Sequence, residues 1–248
     1  MKYKIAIPSY KRSKSIRERT LNYLINICNI SPKIINVFVA NKKEYEDYKY
    51  LKEIGINIII GVKLLHKQRN FIQNFYNDGD FIMQFDDDID SLKIKKGKET
   101  KVLTDLDSII RIGFNESLKN KTKLFGVGAV DNHFFMNNKI STNLKLIVGS
   151  CFGLIIDKDK SLSLTLEEKE DYERTIKHFL KFGKVVRLNM IATKTTYYTG
   201  AGGMVDNRTE EEQNKSALYL CKKYPNLIKL NTNRKSKYLE LRLNNRAI

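Results

Sequence analysis

The sequence predicts an α/β fold: a mostly parallel central sheet flanked by helices, with a mixed second half. Two observations predict it. Short apolar runs alternate with amphipathic stretches of helical spacing through the first third of the chain. The runs are also near-continuously apolar, as strands covered on both faces are.

The elements follow in order. "KYKIAIP" (2–8) is a strand that stops at a proline. "SKSIRERTLNYLINICN" (13–29) is a helix, with Ser13 placed to cap it and Ile16, Leu21, Leu24, Ile25 and Cys28 on one side. "IINVFVA" (34–40) is a second strand. "KKEYEDYKYLKEIG" (42–55) is a helix stopped by Gly55. "INIIIG" (56–61) is a third strand, and "HKQRNFIQNFYNDG" (66–79) a third helix. "FIMQF" (81–85) is a fourth strand, followed directly by Asp86, Asp87, Asp88 and Asp90. In the second half, "TDLDSIIRIGFNESL" (104–118), "EDYERTIKHFLKFG" (170–183) and "TEEEQNKSALYLCKKYP" (209–225) read as helices, the last with a capping-box pattern from Thr209 to Glu212. "KLFGVGAV", "KLIVGSCFGLII" and "KVVRLNMIA" read as strands, the first two broken by glycines that suggest bends or close backbone approaches. "TYYTGAGGM" (196–204) is a glycine-rich loop.

Parallel sheets bind ligands outside the carboxyl ends of their strands. The aspartates sit at such an end. So do Ser9, Tyr10 and Arg12 after the first strand, and Asn41 after the second.

The 248 residues suit one large domain, and 42% hydrophobic content is globular. No apolar run approaches the ~20 residues of a membrane helix. "IAI" is too short for a signal-peptide core. Cys28, Cys151 and Cys221 form no CxxC pair and no even disulfide framework, so a reducing, cytoplasmic setting is expected. The formal charge is +17, from 45 Lys and Arg against 28 Asp and Glu. Such an excess attracts polyanions. A lysine-, asparagine- and isoleucine-rich composition also arises from an AT-rich genome, so charge alone leaves both readings open.

Four carboxylates in five positions have three readings. An EF-hand calcium loop needs Gly at its sixth position and Glu at its twelfth, where this chain has Ser91 and Gly97. That reading is excluded. A turn capped by aspartates explains one or two of them but not the repulsion among four. The third is a divalent cation holding a diphosphate, since Mg²⁺ and Mn²⁺ take one or two carboxylates plus substrate phosphates. Strand alternation would then let Asp86 and Asp88 converge while Asp87 points elsewhere.

In this order and spacing, "IAIPSYKR", "HKQRNFI", "DGDFIMQFDDDI" and "EDYERTIKHFLKFG" resemble the GT-A glycosyltransferases. More narrowly, "IPSYKR", "QRN" and "DDDI" resemble the TET-associated glycosyltransferases, found near enzymes that oxidise nucleobases. The resemblance spans residues 3 to 210. It implies a single GT-A domain over 1–230, with a donor half near 1–92 and an acceptor half near 102–230. A loosely attached basic extension would follow over 231–248.

The resemblance also implies roles. Pro8, Ser9 and Tyr10 line a nucleoside pocket, with Tyr10 or Asn41 near the base. Arg12 and Arg69 meet donor phosphate or base, as guanidinium suits oxyanions. Asp86 and Asp88 hold Mn²⁺ or Mg²⁺ and the donor ribose, with Asp87 also in the donor site. Asp171, beside Glu170, deprotonates the acceptor. Gly200, Gly202 and Gly203 form a flexible wall.

Each has a plainer alternative. Ser9 and Tyr10 make a turn after Pro8; Arg69 is a solvated helix residue; Asp171 only caps its helix. His66, His133 and His178 are isolated and none follows the glycine loop, so no histidine metal ligand is expected. The implied partners are a UDP-type nucleotide-sugar and a 5-hydroxymethylpyrimidine in DNA, with "KIKKGKETK" (93–101) and 231–246 as candidate backbone contacts. The alternatives are a glycan or protein acceptor, or a non-catalytic nucleic-acid-binding module.

Overall fold

A computed structural model describes residues 1–195, 209–232 and 237–245. The parallel core runs as expected. Strands β1 (Lys4–Pro8), β2 (Ile35–Val39), β3 (Asn57–Ile60) and β4 (Phe81–Phe85) lie in the order β3-β2-β1-β4, every neighbouring pair parallel. Beyond β4 the sheet becomes mixed. It continues through β9 (Cys151–Ile155), β7 (Leu124–Gly128), β10 (Val186–Thr195), β5 (Ile89–Lys96) and β6 (Glu99–Val102), with β8 (Ile140–Ser141) against β10. The chain leaves β1 for β2 on one side and returns to β4 on the other. The gap between the carboxyl ends of β1 and β4 is therefore a topological switch point, where α/β sheets take ligands.

Helices cover both faces, and the strands alternate accordingly. Ile5, Ile7, Val37, Val39, Met83 and Phe85 pack with α2 (Lys42–Tyr48) and α4 (Leu106–Lys119) on one face. That face also carries helix α1, α-helical over Ser13–Ile16 and π-helical over Arg17–Ile27. Ala6, Phe38 and Ile82 pack on the other, with α3 (Leu65–Phe75), α5 (Glu170–Phe182) and α6 (Glu210–Lys223). A period of two with apolar residues on both sides is what a doubly covered strand requires.

Three expectations change. Ser13 is the first helical residue, and Arg12 occupies the cap position without a side-chain cap bond. "KIKKGKETK" forms the β5–β6 hairpin, largely exposed and turned at Gly97 (φ 62°), a backbone angle that favours glycine. Only Cys151–Ile155 of "KLIVGSCFGLII" is strand. Among the described residues of the C-terminal segment, β12 (Leu241–Leu243) pairs with β11 (Ile228–Leu230), and Leu241 and Leu243 are buried.

Candidate active site

The site is built from three chain segments at the switch point. The first follows β1. Ser9 is buried, and its N–H donates to the Phe38 carbonyl of β2 (2.9 Å). Lys11 takes left-handed backbone (φ 55°), its N–H donating to Glu44 Oε2 (2.8 Å). This uncommon conformation turns the chain so that Arg12 re-enters the site. Tyr10 is half-buried beneath two ammonium groups, Lys11 Nζ at 5.3 Å and Lys63 Nζ at 5.8 Å from the ring centre.

The second segment is the aspartate turn. Alternation stops at Phe85, the last strand residue. Asp86 meets α3: its Oδ1 accepts from Arg69 Nη2 at 2.7 Å. Asp87 meets the β1 loop. Its Oδ2 accepts from Ser9 Oγ (2.5 Å) and its Oδ1 from Arg12 Nη1 (2.8 Å). The same Nη1 donates to Asp88 Oδ2 (2.9 Å). Arg12 thus links Asp87 and Asp88, and Arg69 holds Asp86. Thr20 of α1 fixes the turn from behind: its Oγ1 donates to the Asp86 carbonyl (2.8 Å) and accepts from Ile89 N–H (2.9 Å). Asp90 pairs with Arg19 (2.8 Å), away from this centre.

The third segment opens α5. Lys169 (φ 61°) precedes the helix and occupies its cap position, so Asp171 is not the N-cap. Glu170 is buried between two guanidiniums, accepting from Arg69 Nε (3.1 Å) and Arg174 Nη1 (2.9 Å). Arg69 is 2% exposed and also donates to Gln84 Oε1 (3.0 Å) and the Gly149 carbonyl (2.9 Å). It is therefore no solvated helix residue. Both guanidiniums face Phe152, at 5.0 Å and 3.6 Å from the ring centre.

Gly149 permits this crowding. A Cβ there would lie 3.0 Å from Glu170 Oε1, 3.6 Å from Asp171 Cβ and 3.8 Å from Arg69 Nη2. Gly149 and Arg174 were not singled out from sequence. A glycine in a broken apolar run was the one available signal for the first; the i, i+4 spacing from Glu170 was the signal for the second.

Burial raises the carboxyls at this site against their arginine partners. Burial pushes the Asp86 carboxyl up, and Asp88, Asp87 and Glu170 add to this against Arg69. Asp87 is also raised by burial, with Arg12 opposing. Asp171 is pushed up to about 6 by burial and by Glu170. That range suits a general base, whereas Glu170 is committed to two arginines.

The donor set fits a divalent cation in its chemistry. Asp86 and Asp88 are partly exposed (31% and 25% of their side chains), and the turn concentrates negative charge. No group of three or more His, Cys, Asp or Glu able to hold a metal occurs among the described residues. Such a cation would therefore depend on substrate oxygens. Of the other expected residues, Pro8 ends β1, and Asn41 caps α2 by accepting from Glu44 N–H (3.0 Å). Gly200, Gly202 and Gly203 lie outside the described residues.

No protein-family model matches the sequence, and no curated protein does. Solved structures match in fold. S. aureus TarS 1-349 in complex with UDP-GlcNAc gives a TM-score of 0.55 at 15% identity, covering 89% of this chain and 67% of that one. S. aureus TarS 1-349 gives 0.53 at 14%, covering 78% and 59%. A mycobacterial protein gives 0.53 at 6%, covering 97% and 83%. This chain spans about two thirds or less of the TarS structures, down to 40% of the longest. It has the GT-A architecture that the sequence resemblance implies. No helix among the described residues is long and apolar enough to cross a membrane.

Proposed function

We propose that this chain is a glycosyltransferase moving a sugar from a UDP-type nucleotide donor to a hydroxyl, the acceptor being a 5-hydroxymethylpyrimidine in DNA. One observation carries the reading. Ser9 and Arg12, Asp86 to Asp88, and Glu170 with Asp171 come from three distant segments and meet around one switch point. A fold likeness to a TarS structure holding UDP-GlcNAc supports the donor class. The DNA acceptor is supported by the TET-associated sequence strings and the +17 charge.

In this reading each residue has a role. Tyr10 and Ser9 border the nucleoside, Arg12 presents positive charge to the diphosphate, and buried Arg69 acts through Asp86. Asp86 and Asp88 would hold Mn²⁺ or Mg²⁺, which when bound neutralises charge on the leaving diphosphate. Asp171 accepts the proton of the acceptor hydroxyl, giving inverted stereochemistry at the sugar. Glu170 positions Arg69 and thereby Asp86.

Purified protein with Mn²⁺, a UDP-sugar and hydroxymethylated DNA is expected to release UDP and to add a hexose mass to the base. Release with a glycan or protein acceptor but none with modified DNA would overturn the acceptor. DNA binding unaffected by Asp88→Ala, with no UDP released on any acceptor, would overturn the enzyme reading.

A further inference from the structure

The loop between β7 and β8 presents two adjacent phenylalanines to solvent. Phe134 is 81% exposed and Phe135 70%. Single exposed apolar residues are ordinary; two neighbouring rings held out of packing are not. A defined turn presents them. The Asn132 side chain accepts from Phe134 N–H (3.0 Å), and its carbonyl accepts from Phe135 N–H (3.0 Å). Met136 anchors the loop by burial, and Asn137 N–H donates to the Asn189 carbonyl of β10 (3.2 Å). The His133 ring lies 4.0 Å from that of Phe134.

The loop rests on the β5–β6 hairpin. Residues directly paired across strands share a face. Lys93 pairs with Val102 and Lys95 with Thr100, so these four form one face. That face holds the loop: Lys95 Nζ donates to the His133 carbonyl (2.6 Å) and Thr100 Oγ1 to the Asp131 carbonyl (3.5 Å). Glu99 belongs to the other face, paired with Lys96 and bridged to Lys101 (3.1 Å). Asp131 is the one carboxylate of the loop. From Asp88 to Lys95 the strand spans roughly 20 Å.

Rings beside lysines suit two polyanions, an unpaired nucleic acid or an anionic bilayer. The asparagines at 132, 137 and 138 decide between them. They flank the rings and would lose water on entering acyl chains, at a cost that unpaired bases and wet phosphates do not impose. A second copy would set lysine face against lysine face.

We propose that Phe134 and Phe135, with Lys93 and Lys95 beside them, form a docking surface for an unpaired stretch of nucleic acid. The rings stack on bases and the ammonium groups hold phosphates. The proposal deepens the DNA-acceptor reading and rests on it for the choice of polymer.

The test is fluorescence anisotropy of a labelled thymidine oligonucleotide with the full chain, without metal or donor. The double variant Phe134→Ala/Phe135→Ala is expected to bind at least tenfold more weakly, with unchanged circular dichroism and melting. Lys93→Gln is expected to reduce the slope of log K against log salt by about 0.7. Wild-type affinity in the double variant would overturn the proposal. So would binding to phosphatidylserine vesicles without binding to the oligonucleotide. Sugar transfer to a free hydroxymethyl nucleoside without oligonucleotide binding would sink the docking surface and leave the transfer reading standing. Ring-dependent binding without UDP release on any hydroxymethylated acceptor would do the reverse.

Discussion

Arg69 Nη2 lies 2.7 Å from Asp86 Oδ1, and the guanidinium that makes this bond is 2% exposed. Its remaining donors hold Glu170, Gln84 and the Gly149 carbonyl. The pair joins the stability of the fold to the charge of the site.

The two partners should respond differently. Arg69→Met leaves Asp86 without its buried counter-charge and Glu170 with Arg174 alone, at a cost of about 3–5 kcal/mol. In a chain of this size that lowers the melting temperature by roughly 10 °C. Asp86→Asn relieves carboxylate crowding, so melting stays level or rises while turnover drops at least a hundredfold. Thermal melts beside turnover separate the two, and an unfolded Asp86→Asn protein would make the carboxylate structural.

Asp87 and Asp88 share Arg12 but differ in burial. Asp87 is 5% exposed and also holds Ser9. Asp87→Asn weakens its bonds to Ser9 and to Arg12, which keeps Asp88, and should cost about 1–2 kcal/mol. Asp88→Asn should cost under about 1 kcal/mol and abolish metal-dependent turnover. At a temperature where both are folded, activity should be lost more fully in Asp88→Asn than in Asp87→Asn or Asp90→Asn. The opposite order would remove Asp88 from the cation site.

Gly149→Ala tests the close approach of α5. Glu170 cannot give way without breaking its bonds to Arg69 or Arg174, so overpacking should cost about 1–3 kcal/mol. Turnover should fall further than stability accounts for, because Asp171 Cβ lies on the same side. Wild-type kcat in a folded Gly149→Ala protein would contradict this.

As a base, Asp171 must be deprotonated. With its carboxyl held near 6, turnover should rise with pH through about 6 and level off above it. Asp171→Asn should lower kcat by about 10²–10⁴ and remove that limb of the profile. An unchanged acidic limb in the variant would assign the proton transfer elsewhere.

His178 sets a separate pH dependence. It is buried on α5, with Nδ1 2.9 Å from the Arg174 carbonyl, and burial lowers its pKa to about 4 from 6.5. Between these values the unfolded chain binds a proton that the folded chain does not, so stability falls as pH drops from 6.5 toward 4. The loss amounts to about 3 kcal/mol. Asp86 and Asp171, raised rather than lowered, act in the opposite sense over part of this window. The difference between wild type and His178→Gln isolates the histidine: denaturant midpoints should converge as the pH falls. A constant gap would show a packing effect only.

Sequence made much of this legible. The four parallel strands announce themselves because each is apolar on both faces, and the aspartates are visible because they follow directly on such a strand. The β5–β6 hairpin was hidden because lysines occupy both of its faces and mask the period of two. The ends of strands were less legible than their middles. Alternation carried past Phe85 would align Asp86 with Asp88, whereas the turn gives Asp87 and Asp88 to one arginine. Glu170 between Arg69 and Arg174 is a tertiary relationship, and spacing within α5 reveals only its Arg174 half.

The central claim is tested most directly by mass spectrometry of hydroxymethylated DNA, digested to nucleosides after incubation with the protein, Mn²⁺ and UDP-sugars. The account predicts a hexose-type mass increment on the hydroxymethylpyrimidine that disappears with Asp86→Asn or Asp88→Asn. An unmodified base with UDP-sugars under conditions where the wild-type chain is folded, or an increment that survives both substitutions, would contradict it.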